Sequence, residues 1–444
     1  MKRNRSVLKP VAVLLGLISA GQGALHLYRV RSAEGAALTG PKLLAEALSP
    51  FVTLAGAVGA LLGLLIRSPL AFLTGAAGAL LSGRYVKGVL QPPEGFERAF
   101  GEDWEARIPP ERRERMLPSR WQPGLPEGPE PRWERDVVFW TLPAVEGEAE
   151  RELLCDLWLP PEGIAPSGLA FIYLHGSGWH FIDKDVGTRP MFRHLAAQGH
   201  VIMDVAYRLC PEVQWQAMAG DPKRAIAWMK EHAAEFGVDP ERIVIAGGSA
   251  GGHLALLAAY APDHPELTPE DVRDADLGVR AVVSWYGPSD MRLYYDYAGV
   301  PFSVLVGEQD TDAGSQISEW VTERLGFEMQ QPQGWRPDQT VQEAMMHGLL
   351  GGSPSDVPEA YALFSPVEHV DAGCPPTLLL QGEHDMIVSA EGVRTMAEKL
   401  EAAGVPVIYV EYPQTEHAFD LILPHISPPA QAALYEVERF LALL

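Results

Sequence analysis

Arg242-Ile-Val-Ile-Ala-Gly-Gly-Ser-Ala-Gly-Gly-His253 is the stretch on which the reading of this chain turns. Ile243 to Ala246 is a short apolar run between Asp239-Pro240 and Gly247, the pattern of a buried strand. Leu254-Ala-Leu-Leu-Ala-Ala-Tyr260 reads as a helix. Between them, Gly247-Gly-Ser-Ala-Gly251 matches G-x-S-x-G. A tight strand-to-helix turn of this kind lifts one hydroxyl out of the backbone at the head of a helix. The flanking glycines avoid a Cβ clash with the adjoining strand and helix, and the helix N-terminus favours developing negative charge. Ser249 is therefore the candidate nucleophile, against the plainer reading of a serine capping a helix on a glycine turn.

Working outward, further apolar runs alternate with helical stretches. Arg135 to Leu142 and Glu152 to Leu159 read as an opening strand pair. Gly168 to Leu174, His200 to Ala206, Ala281 to Trp285, Thr377 to Leu380 and Val407 to Val410 are the other expected strands. Helices are expected at Asp221 to Glu235, Ala390 to Ala402 and Ala430 to Leu444. This alternation implies an α/β fold with a mostly parallel central sheet covered on both faces. Asp290 to Pro358 is too long for a crossover and is rich in aromatics and methionine (Tyr294, Tyr295, Tyr297, Trp320, Trp335, Met329, Met345, Met346). It reads as a cap insertion over the carboxyl edge of the sheet, where ligands bind in open α/β sheets.

The N-terminal part has a different character. Residues 1–90 carry ten Lys/Arg against two acidic residues, a net of +8, while the remainder carries 25 basic and 56 acidic residues, a net of −31. An acidic body has no basic face for phosphate contacts, so no nucleic-acid partner is expected. Val11 to Ala20 is apolar, Leu48 to Ile66 runs 19 residues without a charge, and Leu70 to Gly83 is again uncharged. These lengths approach the ~20 residues that span hydrocarbon, and Gly59-x-x-x-Gly63 permits close helix contact. Residues 1–90 are thus expected to be membrane-anchoring helices, as several spans or a hairpin, with a secretory signal as the competing reading of the first run. From a basic, inside N-terminus, three spans or one span with a re-entrant hairpin put the body outside the cytoplasm, whereas two spans with the first run on the surface leave the N-terminus and the body on the same side. Residues 91–133, crowded with proline, read as a linker, free or lying over the body, which leaves 134–444 as the body itself. Cys155, Cys210 and Cys374 show no metal spacing, and neither a metal nor an organic cofactor is expected.

A serine hydroxyl needs a base and a group to orient that base. Glu383-His384-Asp385 follows the strand ending at Leu380, and Pro413-Gln-Thr-Glu-His417 follows the run ending at Tyr412, so both fall on the same sheet edge as Ser249. His417 is the candidate base and Asp385 the candidate acid, with Glu383 its near rival. Leu174-His-Gly-Ser-Gly-Trp179 follows a strand at the position of an HGGG-type oxyanion loop. The amides of Ser177, Gly178 and Ala250 are the candidate oxyanion donors.

From Phe171 onward the chain resembles the hormone-sensitive-lipase-like branch of the α/β-hydrolases, carboxylesterases and lipases with an HGGG oxyanion loop. The matching residues are His175-Gly-Ser-Gly-Trp179, Asp204-Val-Ala-Tyr-Arg-Leu-Cys-Pro-Glu212, Gly247-Gly-Ser-Ala-Gly-Gly252, Asp385 and His417, in the family's order across about 134–444. Three features depart from that branch: Ser177 replaces a glycine, Gly248 stands where an aspartate is usual, and the 290–358 insertion is long. The resemblance implies the α/β-hydrolase fold and a serine hydrolase acting on small-molecule or lipid esters, which the apolar runs of residues 1–90 would anchor to a membrane. Amide or formamide hydrolysis and acyl transfer use the same triad, and a non-catalytic binding protein on this fold is the alternative of another class. The resemblance fixes no oligomeric state and does not extend to residues 1–90.

Overall fold

The computed structural model describes residues 2–31, 35, 37–144, 150–297, 336 and 339–444, with side chains from residue 8 onward. Eight strands form one sheet: β1 (Arg132–Leu142), β2 (Arg151–Leu159), β3 (Ala170–Leu174), β4 (Val201–Val205), β5 (Ile243–Gly248), β6 (Ala281–Trp285), β7 (Thr377–Gly382) and β8 (Val407–Tyr412). Their order is β1-β2-β4-β3-β5-β6-β7-β8. β2 runs antiparallel to both β1 and β4, and the remaining neighbours are parallel. This is the α/β-hydrolase architecture.

Because alternate strand residues face opposite sides, the parallel strands feed two cores. Ile172, Ile245, Val282 and Leu379 point to one, Phe171, Val244, Val283 and Leu378 to the other. The helices that cover them are α4 (Arg189–Ala196), α5 (Trp215–Glu231), α6 (Ala250–Tyr260), α9 (Ala390–Ala402) and α10 (Pro428–Leu443). The first core is closed by α5, α6 and α9, the second by α4 and α10. Helix α5 starts six residues before the expected Asp221, so Pro222 lies inside it and not at its head. Asp221 there accepts hydrogen bonds from Arg208 and Arg224, which fixes the turn that the proline would otherwise loosen.

Residues 91–133 lie against the body. Phe96, Trp104, Met116, Leu117 and Leu125 are buried in the second core. The segment is tied to α10 and the loop before it, by the Leu117 amide to Glu438 Oε2 (2.9 Å), the Trp121 indole N–H to the Ile426 carbonyl (2.8 Å) and the Leu125 amide to the His425 carbonyl (2.7 Å).

At the N-terminus, α1 (Lys2–Leu25), α2 (Thr39–Ile66) and α3 (Pro69–Val89) pack as a three-helix bundle. Glycines set the spacing: a Cβ on Gly75 would lie 2.5 Å from Ala60 N, and one on Gly56 2.6 Å from Ala79 N, so α2 and α3 approach at backbone contact. Leu8–Leu25 and Thr39–Ile66 are long and apolar enough to cross a membrane; the stretch expected as a further span, within α3, is not among the helices that meet this measure. Leucines face outward along the whole bundle, with Leu54, Leu65, Leu73 and Leu80 between 63 % and 71 % exposed. The opposite faces pack inward, and the ends of α2 and α3 rest on the body.

Of the expected cap insertion, residues 298–335 and 337–338 lie outside the described residues, Trp320, Trp335 and Met329 among them. Its flanks are α7 (Met291–Asp296) and α8 (Val341–Leu350), and both sit over the carboxyl edge of the sheet.

Candidate active site

Three loops leave the carboxyl edge of the sheet and meet. Ser249 follows β5, Asp385 follows β7 and His417 follows β8. The Ser249 turn has φ 53° and ψ −122°, a conformation in which non-glycine residues are strained. The turn holds because its neighbours leave no room for anything else. A Cβ on Gly251 would collide with the Leu174 carbonyl, and one on Gly247 would meet that same oxygen at 2.6 Å. The Ser249 amide donates to the Trp285 carbonyl at 2.9 Å and its carbonyl accepts from His253 N at 2.9 Å.

The three side chains form a line. His417 Nε2 lies 3.1 Å from Ser249 Oγ, and His417 Nδ1 lies 2.7 Å from Asp385 Oδ2. Asp385 is 1 % exposed. Its Oδ1 accepts the amides of Ile387 and Val388, both at 2.8 Å, and its Oδ2 also accepts Gln381 Nε2 at 3.0 Å. With the His417 ring these make four partners around one carboxylate, which fix its plane. Glu383, the rival acid, accepts the Gln414 amide at 2.9 Å and so braces the turn before His417. His417 also packs against the Tyr286 ring at 4.4 Å between centroids.

The oxyanion loop candidates are close by. Gly176, Ser177 and Gly178 line the same cavity as Ser249, and Ala250 opens α6 beside it. A Cβ on Gly176 would come within 3.4 Å of the Ser249 Cβ. Gly178 has φ +53°, the left-handed region where glycine is unstrained. The Ser177 hydroxyl is engaged: it lies 2.5 Å from the Tyr207 hydroxyl and accepts the Trp179 amide at 2.9 Å. Tyr207 in turn donates to the His175 carbonyl at 2.8 Å. Serine in place of glycine therefore adds a brace and leaves the backbone amide in place. His175 stacks on Tyr207 at 4.4 Å, and burial holds its imidazole down at about 4, the neutral form.

Gly248 has a physical reason to depart from the usual aspartate. A Cβ there would meet the hydroxyls of Tyr173 and Tyr286 at 3.2 and 3.4 Å. Tyr286, which hydrogen-bonds to Asp420, fills the space that a side chain at 248 would need. No sequence pattern assigns these roles to Tyr286 and Tyr207: the first directly follows the strand Ala281–Trp285, and the second lies within the Asp204–Glu212 motif.

The cavity in front of Ser249 measures about 240 Å³. Its walls are mostly apolar, with Phe181, Ile182, Val186, Val341, Met345 and Leu421 prominent. Tyr294 from α7 lines it, while Tyr297 donates to the Asp385 carbonyl at 2.8 Å, and Tyr295 pairs with His347 at 3.2 Å, away from the cavity. Among the described residues no cluster of His, Cys, Asp or Glu has metal-binding geometry.

The chain is similar in sequence to known proteins. The chain is 33 % identical over 301 residues to the probable carboxylic ester hydrolase LipM of Mycobacterium tuberculosis, a match covering 67 % of this chain and 59 % of that protein. Esterase LipQ of the same organism is 31 % identical over 278 residues, 62 % of this chain and 56 % of the other. The matches thus span less than two thirds of these relatives' length. Among solved structures, the butyrate-bound esterase Est2 of Thermogutta terrifontis aligns at a TM-score of 0.47 and 25 % identity, over 71 % of this chain and 93 % of that one. The BD-FAE family model matches residues 155–324 and 327–400. That is more than half of the sequence, and the chain belongs to the BD-FAE family of hormone-sensitive-lipase-like α/β-hydrolases.

Proposed function

We propose that this protein is a membrane-anchored carboxylic ester hydrolase with Ser249 as nucleophile, His417 as general base and Asp385 as the acid that orients it. The observation that carries the reading is the Ser249–His417–Asp385 line, at 3.1 and 2.7 Å, opening on an apolar cavity. Asp385, its plane fixed by amide donors, accepts a hydrogen bond from His417 Nδ1–H. Nε2 is then the lone-pair nitrogen facing Ser249. Ser249 Oγ attacks the ester carbonyl as its proton passes to Nε2, and the carbonyl electrons move onto oxygen. The amides of Ser177, Gly178 and Ala250 receive that oxyanion. Collapse expels the alcohol, which takes the proton from Nε2 and leaves an acyl-Ser249. Water then attacks with His417 again as base, releasing the acid and restoring the hydroxyl.

A cavity of about 240 Å³ is below the ~300 Å³ lower bound of pockets for drug-sized ligands, so short acyl groups are the expected substrates. Hydrolysis of an ester series from acetyl to palmitoyl by the full-length protein tests this, with rates highest at the short end. A maximum at palmitoyl would contradict it. Met345, within 3.4 Å of where a Gly178 Cβ would be, stands in the wall. Met345→Ala should move the optimum to longer chains, changing the ratio of kcat/KM between a long and a short ester by roughly tenfold. An unchanged ratio would remove Met345 from the acyl wall.

The anchor belongs to the same proposal. A soluble protein rarely leaves so many leucines exposed along one face, and here they ring α1, α2 and α3. The full-length chain is expected to stay with membranes through alkaline carbonate extraction; release into the supernatant would count against an integral anchor. The body is expected outside the cytoplasm. Protease added to intact spheroplasts should remove a tag fused after Leu444, whereas a tag protected until lysis would reverse the orientation.

A further inference from the structure

The loops carrying Asp385 and His417 are gripped by the N-terminal bundle. Lys42, in the first turn of α2, is fully buried, with Nζ 2.8 Å from Glu416 Oε1, 3.1 Å from His384 Nδ1 and 4.0 Å from Glu46 Oε1. Glu416 immediately precedes His417, and His384 immediately precedes Asp385. The second oxygen of Glu416 accepts the Met386 amide at 3.1 Å, so this carboxylate joins the two loops directly. Glu46 accepts the Glu416 amide at 3.2 Å from the other side. Around this cluster, Arg29 donates to the Glu383 carbonyl at 2.6 Å, and Tyr85 pairs with the Thr415 hydroxyl at 3.1 Å while stacking on His26 at 4.1 Å.

Helix docking alone does not call for this chemistry. Burying one cation among two carboxylates carries a desolvation cost that apolar contacts avoid, and well-packed hydrophobic replacements are often as stable or more so. Burial raises the Glu416 carboxyl above the ordinary range, against the pull of Lys42, and holds His384 down at about 4. What the cluster supplies is fixed geometry: hydrogen bonds with directions, made to residues adjoining each member of the pair at 385 and 417. From this arrangement we infer that Lys42 is a positioning residue for hydrolysis, acting through Glu416 and His384 to hold His417 and Asp385 in register. The anchor is then part of the catalytic framework as well as a tether. The inference rests on the triad reading given under Proposed function.

Full-length protein in detergent micelles provides the test, with sites counted by saturating fluorophosphonate labelling. For Lys42→Met, kcat per labelled site should fall by about 10- to 100-fold, with KM within about twofold of wild type, and the initial labelling rate should fall in parallel. A purely structural Lys42 would reduce the number of sites and leave kcat per site unchanged, which would overturn the inference. Glu416→Gln keeps the side chain's size but can accept from only one of Lys42 and the Met386 amide, so it serves if Lys42→Met does not fold. Its kcat per site should drop by ~2- to 10-fold; a wild-type value would overturn the inference equally. Ser249→Ala separates the two levels. Persisting hydrolysis in Ser249→Ala would remove the triad reading itself, whereas an inactive Ser249→Ala beside a fully active Lys42→Met would remove only the positioning role.

Discussion

Replacing Ser249 with alanine is expected to lower kcat for ester hydrolysis by about 10⁴-fold or more, with the fold unchanged. The expectation follows from what the residue contributes. Its backbone holds the turn through the Trp285 carbonyl and the His253 amide, and alanine keeps both contacts. The hydroxyl contributes one bond, to His417 Nε2 at 3.1 Å. Alanine at φ 53° bears no more strain than serine there, because both have a Cβ. The loss should therefore appear in kcat, with secondary structure and thermal unfolding close to wild type. Near-wild-type hydrolysis of a short ester by Ser249→Ala would mean that another group is the nucleophile.

The second large effect is expected at the acid. Asp385→Asn should lower kcat by roughly 10³- to 10⁴-fold, on the scale of triad acids elsewhere, while Glu383→Gln should cost no more than about threefold, within the range of one ordinary hydrogen bond. Asp385 accepts from two backbone amides on one oxygen and from Gln381 and His417 on the other. An asparagine has one oxygen for these four donors. Placed with its oxygen toward the amides, its NH₂ faces His417 Nδ1 and forces the proton onto Nε2, where it blocks acceptance from Ser249. Turned the other way, its NH₂ opposes two buried backbone N–H groups. Glutamine at 383, by contrast, can still accept the Gln414 amide through its carbonyl. A crippled Glu383→Gln beside an active Asp385→Asn would exchange the two assignments.

The positions at the sheet edge could be read from sequence because each follows an apolar strand run at once. Ser249, Asp385 and His417 needed only the run, the turn residues after it and the chain order. What the sequence could not disclose is what comes from elsewhere in the chain. Tyr207 bracing Ser177 and Tyr286 occupying the space beside Gly248 depend on loop paths between strands that no periodicity describes. Residues 91–133 show the same limit. Their prolines rule out long elements, yet single apolar residues such as Trp104 and Leu125 dock one by one into the second core, a pattern without a period. Nothing in the local sequence sets Lys42 and Glu46 apart from other charges near an apolar stretch. Their partner Glu416 is more than 300 residues away, and only the fold places them together. The described flanks of the 290–358 insertion reach the cavity through Tyr294, Val341 and Met345.

The proposed function stands or falls with Ser249 as the nucleophile of a hydrolytic site. The most direct measurement is mass spectrometry of the full-length protein after reaction with a fluorophosphonate, read alongside ester hydrolysis in the same sample. The account predicts one adduct, on Ser249, with hydrolysis lost in proportion to labelling and no adduct in Ser249→Ala. An adduct on a different residue, or undiminished hydrolysis by protein fully labelled at Ser249, would contradict it.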